Sequence, residues 1–228
     1  ATGESSSALA SSILQLQKTM GTPQKDTEKY ANSLTSLAAT TNSSASAIAN
    51  FSQQIAPVGR MIGMTQTEVM GVSTAFLRAG QDGYQAATVF NKMMTDINRA
   101  TQTGSPELAK YANLIGVTQE QFKDMRGTEQ AVKIFEQINR MGPEAITSLN
   151  RMGLDGARTI KAVTAMSQQT GGLGTAIQQA QVSMNSDSIG KGSEAAMRGM
   201  VDDLQKLRSE LAMTGEAFGK FFAPFASG

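Results

Sequence analysis

Apolar residues in this chain recur at steps of three and four, and glycine or proline interrupts each run before it grows long. That spacing lines them along one side of a helix, which turns once in about 3.6 residues. Leu9, Ile13, Leu16 and Met20 form the first stripe, Tyr30, Leu34 and Leu37 the second, and Ile48, Phe51 and Ile55 the third. The seams are thin. Only 40% of the 228 residues are hydrophobic and 17% are charged, the remainder being largely Ser, Thr, Gln, Asn and Gly. Such a composition covers one stripe of each helix but not both faces of a central sheet, whose strands read as near-continuous Val, Ile and Leu. The expected fold is all-α: a series of short amphipathic helices and helical hairpins, ending in a long C-terminal helix with heptad character.

Prolines at 23, 57, 106, 143 and 224 divide the sequence. Thr22-Pro23 and Ser105-Pro106-Glu107 set a hydroxyl residue before a proline, as helix starts favour, and Gly142-Pro143-Glu144 is a variant capped by glycine. Residues 1–56 read as a Ser/Thr/Ala-rich helical segment and 57–170 as a compact helical core. Residues 171–192 read as a Gly/Ser-rich hinge with a short helix, and 193–228 as a long heptad-patterned helix. Within the core, Thr65-Gln-Thr-Glu68 is a capping box, in which the Thr hydroxyl accepts the third amide and Glu68 reaches back to the cap amide. Val69, Val72 and Phe76 give the buried face that follows. Tyr84, Ala87, Phe90, Met94 and Ile97 supply the facing stripe, so residues 65–100 read as a helical hairpin. Leu108, Tyr111 and Ile115 lie on a short helix; Thr128 is expected to cap another carrying Val132, Phe135 and Ile138. Ile146 and Leu149 follow Pro143, and Ile160, Val163 and Met166 follow Asp155. Gly171-Gly172-Leu173-Gly174 then breaks the run, and Ile177 to Met184 form one more short helix. A hinge is favoured there over a phosphate cradle, since no Lys-Ser/Thr follows and no strand precedes.

Chemistry is narrowly bounded. The chain has no Cys and no His, so thiolate and imidazole metal sites, Cys or His dyads and Ser-His-Asp catalysis all lack their atoms. Asp202-Asp203 is the most obvious carboxylate pair, but neighbours on a helix point about 100° apart and cannot face one substrate together. Glu120, Asp124, Glu129 and Glu136 read as surface or first-turn charges, which suit the helix dipole. No catalytic, metal or cofactor-binding residue is assigned, no cofactor is expected, and the chain is not expected to be an enzyme. A net charge of +1 offers no basic footprint for nucleic acid. No run approaches the roughly 20 apolar residues that span a bilayer, and neither a signal peptide nor a membrane anchor is expected. The 14 methionines, Met61, Met64, Met70, Met93, Met94 and Met125 among them, fall mostly on or beside seams and read as core filling.

Two longer patterns remain. Ile62-Gly-Met-Thr-Gln66 and Ile115-Gly-Val-Thr-Gln119 spell helix, glycine stop, threonine cap and helix twice. Recurrent turn chemistry is favoured over structural duplication as the reason. In the last segment Met197, Met200, Leu204, Leu207, Leu211, Phe218, Phe221 and Phe225 keep alternating steps of three and four, with Thr214 at the one expected position that is not apolar. These residues are the candidate self-association stripe.

The order of these pieces resembles the helical region of phage tail tape measure proteins, the minor tail proteins that determine tail length. The residues that carry the resemblance are Ile62-Gly-Met-Thr-Gln-Thr-Glu-Val-Met70, Ala79-Gly-Gln-Asp-Gly-Tyr-Gln-Ala-Ala87, Phe90-Asn-Lys-Met-Met-Thr-Asp-Ile97 and the restart Leu114-Ile-Gly-Val-Thr118. Phe135-Glu-Gln-Ile138 and Met152-Gly-Leu-Asp-Gly-Ala157 then precede a long helix like 193–223. The resemblance spans roughly residues 45–225. Family members are usually far longer, so a segment of a longer polypeptide is expected. The resemblance implies a structural role in tail tube assembly and length determination, with release during genome ejection. It implies a location in the tail tube lumen of the virion, and in the host cytoplasm during assembly. The partners it implies are further copies of the chain, as a trimer or hexamer, the tail tube protein, tip or baseplate hub proteins and tail assembly chaperones. Contact with a host membrane at ejection belongs to the same expectation; sequence-specific nucleic acid does not. The alternative reading is an independently folded, monomeric helical protein-binding module of effector or signalling type.

Overall fold

The computed structural model describes residues 6–41, 43–80, 83–153, 160, 163–164 and 170–185. Every regular element among them is helical, as the apolar spacing predicts. The α-helices are α1 (Ser6–Met20), α2 (Thr27–Ala39), α3 (Ala45–Met61), α4 (Gln66–Arg78), α5 (Gly83–Thr103), α6 (Pro106–Leu114), α7 (Gln119–Asp124), α8 (Gly127–Met141), α9 (Ala145–Arg151) and α10 (Thr170–Asn185). Short 3-10 turns at Gln24–Asp26 and Gly142–Glu144 join α1 to α2 and α8 to α9.

The sequence shows α4 as a one-sided helix, but every residue from Gln66 to Phe76 is buried. Helices α1, α2, α3, α5 and α10 all pack on it. Its hydroxyl groups enter the core because they satisfy themselves: Ser73 Oγ donates to the Val69 carbonyl and Thr74 Oγ1 to the Met70 carbonyl, each at 2.8 Å. Ser52 Oγ, itself bonded to the Ile48 carbonyl at 2.7 Å, donates across to Ser73 Oγ at 3.0 Å. A hydroxyl returned to its own helix four residues back leaves no orphan polar group, so a Ser/Thr-rich surface can pack like an apolar one. Phe76 is the hub on the remaining side. Its ring meets Phe51, Phe90 and Phe135 edge to face at centroid distances of 5.7, 5.6 and 5.7 Å, joining α3, α4, α5 and α8.

Helix α10 lies chiefly against α4 and α2, with a smaller contact to α8. At their crossing, a Cβ added to Gly71 would stand 2.6 Å from the Ile177 Cα and 2.8 Å from its backbone nitrogen. Only glycine lets the two backbones come this close. Opposite, Ser33 Oγ donates to the Ala180 carbonyl at 3.0 Å, Ser183 Oγ to Ser36 Oγ at 2.8 Å, and Thr40 Oγ1 to Gln179 Oε1 at 3.2 Å.

The two turns that the sequence writes alike are alike in structure. Gly63 and Gly116 adopt φ of 77° and 72°, the left-handed conformation of a helix stop. Met64 N–H then reaches the Gly59 carbonyl at 2.8 Å, and Val117 N–H the Ala112 carbonyl at 3.0 Å. Both following capping boxes are complete, Thr65 with Glu68 and Thr118 with Gln121. The helices around them differ, 17 and 13 residues in the first case against 9 and 6 in the second.

Several local expectations are corrected. Pro57 lies inside α3 rather than at a helix start. Thr22 does not cap a helix at Pro23: Pro23 itself precedes the 3-10 turn, and the Thr22 hydroxyl donates to Gln66 Oε1. Ser105 precedes Pro106 at the start of α6 but donates to Glu107 Oε2 at 2.7 Å rather than accepting a helix amide. Thr128 is no cap either. Arg126 begins α8, Gly127 is pressed onto the Ile62 carbonyl, and the Thr128 hydroxyl is buried without a partner. Tyr84 is 74% exposed, while Ala86 and Met93 complete the buried face of α5. That face packs more on α3 than on α4, so α4 and α5 are successive rather than paired. Ile146 is exposed and Ala145 buried in its stead. The glycine cluster at 171–174 is helical, held within α10 by its packing on α4.

Gly71→Ala should destabilise the fold by about 1–3 kcal/mol despite the better helix propensity of alanine, because the added methyl meets backbone. Gly174→Ala, where nothing lies within 4 Å, should stabilise it by about 0.5–1 kcal/mol. Urea denaturation of the two variants measures both. Tyr111 stacks on Phe122, and burial, reinforced by Asp96 and Glu107 and opposed by Arg99, pushes its phenol up to about 12 from 10.0. The folded chain thus holds this proton more tightly than the unfolded one. The stabilisation is complete below pH 10 and is lost as pH rises towards about 12. Thermal melts of Tyr111→Phe should show a flatter decline than the parent across that window.

Candidate assembly surface

Among the described residues, no group of three or more carboxylates comes together in a way that would hold a metal ion. Glu129 pairs with Lys133 at 3.3 Å and Glu136 with Arg140 at 3.8 Å along the outside of α8, and Glu120 and Asp124 are exposed on α7. Each carboxylate therefore serves its own helix surface. Asp202-Asp203 lies outside the described residues, as do all eight members of the self-association stripe: Met197, Met200, Leu204, Leu207, Leu211, Phe218, Phe221 and Phe225. No described helix is long and apolar enough to cross a membrane.

What the described residues do build is a corner, where the turn from α3 to α4 meets the turn from α7 to α8. Glu68 is 2% exposed and uses its two oxygens differently. Oε2 accepts the Thr65 amide at 2.8 Å to close the capping box, while Oε1 accepts Arg126 Nη1 at 3.0 Å. The Arg126 side chain is 64% exposed, so the pair has one end inside the protein and one in solvent. Beneath it, a Cβ on Gly127 would come within 2.5 Å of both the carbonyl oxygen and the Cβ of Ile62. The N-termini of α4 and α8 are thereby fixed together, with an acidic group at the positive end of the α4 dipole. The capping role of Glu68 was readable from its spacing to Thr65. Its partner 58 positions away was not, because nothing local distinguishes Arg126 from any other surface arginine.

A second feature is an open cleft of about 530 Å³ between the C-terminal ends of α2 and α4, lined by Ala39, Thr40, Thr41, Ser43, Leu77, Arg78 and Gly80. Arg78 Nη2 donates to the Thr40 carbonyl at 3.2 Å and to Thr40 Oγ1 at 2.8 Å, tying the two helix ends across the cleft floor. Among the described residues, the cleft lining offers hydroxyls, backbone and the Arg78 guanidinium rather than convergent acids.

The family model described as phage-related minor tail protein covers residues 1–220. No curated protein and no solved structure matches the chain.

Arg126→Ala should cost about 1–2 kcal/mol, below the 3–5 of breaking a fully buried pair because the arginine is solvated. Glu68→Gln, which retains an amide oxygen for the cap, should cost less. In the Glu68→Gln background the Arg126→Ala penalty should largely vanish, as a double-mutant cycle on denaturation midpoints will read.

Proposed function

The chain belongs to the phage-related minor tail protein family, a structural and virion-associated class, and from that premise we propose that it is a segment of the tape measure protein. In this reading it acts in tail tube assembly, sets tail length and leaves with the genome at ejection. Helix length is the quantity used: each helical residue adds about 1.5 Å along the axis, so chain length converts directly into tube length. The observation that carries the reading is the family match over residues 1–220, together with the ordered stop-and-cap turns at Gly63–Thr65 and Gly116–Thr118. The work is mechanical rather than catalytic.

Several copies would share the lumen, joined through the heptad stripe from Met197 to Phe225. They would contact the tail tube protein, the tip or baseplate hub and the assembly chaperones, with host membrane met only on exit. A nearly neutral exterior, rich in Gln, Ser and Thr, suits passage along a tube wall without lasting adhesion. Sedimentation of the chain should give a trimer or hexamer that Leu204→Asp with Leu207→Asp reduces to a monomer. A monomeric parent would refute the assembly reading and favour a free-standing helical binding module.

A further inference from the structure

We draw no further inference here: the strongest candidate, the open cleft between the C-terminal ends of α2 and α4, carries nothing, because its Arg78 guanidinium is engaged by the carbonyl and hydroxyl of Thr40 at the end of α2 and nothing in the structure shows what would fill the space.

Discussion

Everything in this fold leans on the enclosure of one helix. Eleven consecutive residues of α4, from Gln66 to Phe76, are withdrawn from water, covered by α1, α2, α3, α5 and α10 and, at Phe76, by Phe135 of α8. A chain with so few large apolar side chains cannot fill wide gaps between helices, so it closes the gaps instead. Gly71 under Ile177 and Gly127 under Ile62 bring backbones into direct contact, and dispersion over many short contacts replaces the bulk of interlocking side chains. Where size is needed, it is concentrated: three phenylalanines converge on Phe76 and with it pin four helices at one point.

The polar content of this core follows the same economy of space. Ser52, Ser73 and Thr74 are small enough to sit at a helix contact, and each discharges its hydroxyl into a carbonyl of its own preceding turn. Gln17, buried in α1, joins the Pro23 carbonyl at 2.8 Å to the Thr27 hydroxyl at 2.7 Å and so fixes the turn between α1 and α2. Glu68 alone brings a formal charge inside among these groups, and its cost is offset by an amide on one oxygen and a solvated guanidinium on the other.

Much of this was legible in the sequence, and the pattern of failure is physical. Stripes such as Ile13–Leu16–Met20, Leu34–Leu37 and Ile48–Phe51–Ile55 are buried as their spacing indicates, and both capping boxes form where threonine stands three residues before Glu or Gln. Those signals are local. The errors arise where a distant element decides: Thr128 lost its capping role because Gly127 is drawn against Ile62, and the glycines at 171–174 are helical within a helix that packs along α4 and α2. The same cause hid the corner between α4 and α8, since neither the Glu68–Arg126 pair nor the Gly71–Ile177 crossing leaves any mark on the residues beside it. Tyr84 shows the converse, an aromatic in phase with the stripe that nevertheless stands 74% exposed.

The paired turns at Gly63 and Gly116 are complete within themselves. Each satisfies the end of one helix and the beginning of the next within a short local stretch, Gly59 to Glu68 and Ala112 to Gln121, and the flanking helices are of unlike length, 17 and 13 residues in one case, 9 and 6 in the other. Such a corner is a self-contained splice. The first of them is also tied to α8 through Glu68–Arg126 and Ile62–Gly127, so a whole helical turn of about 5.4 Å fits on an arm only where it leaves those contacts in place.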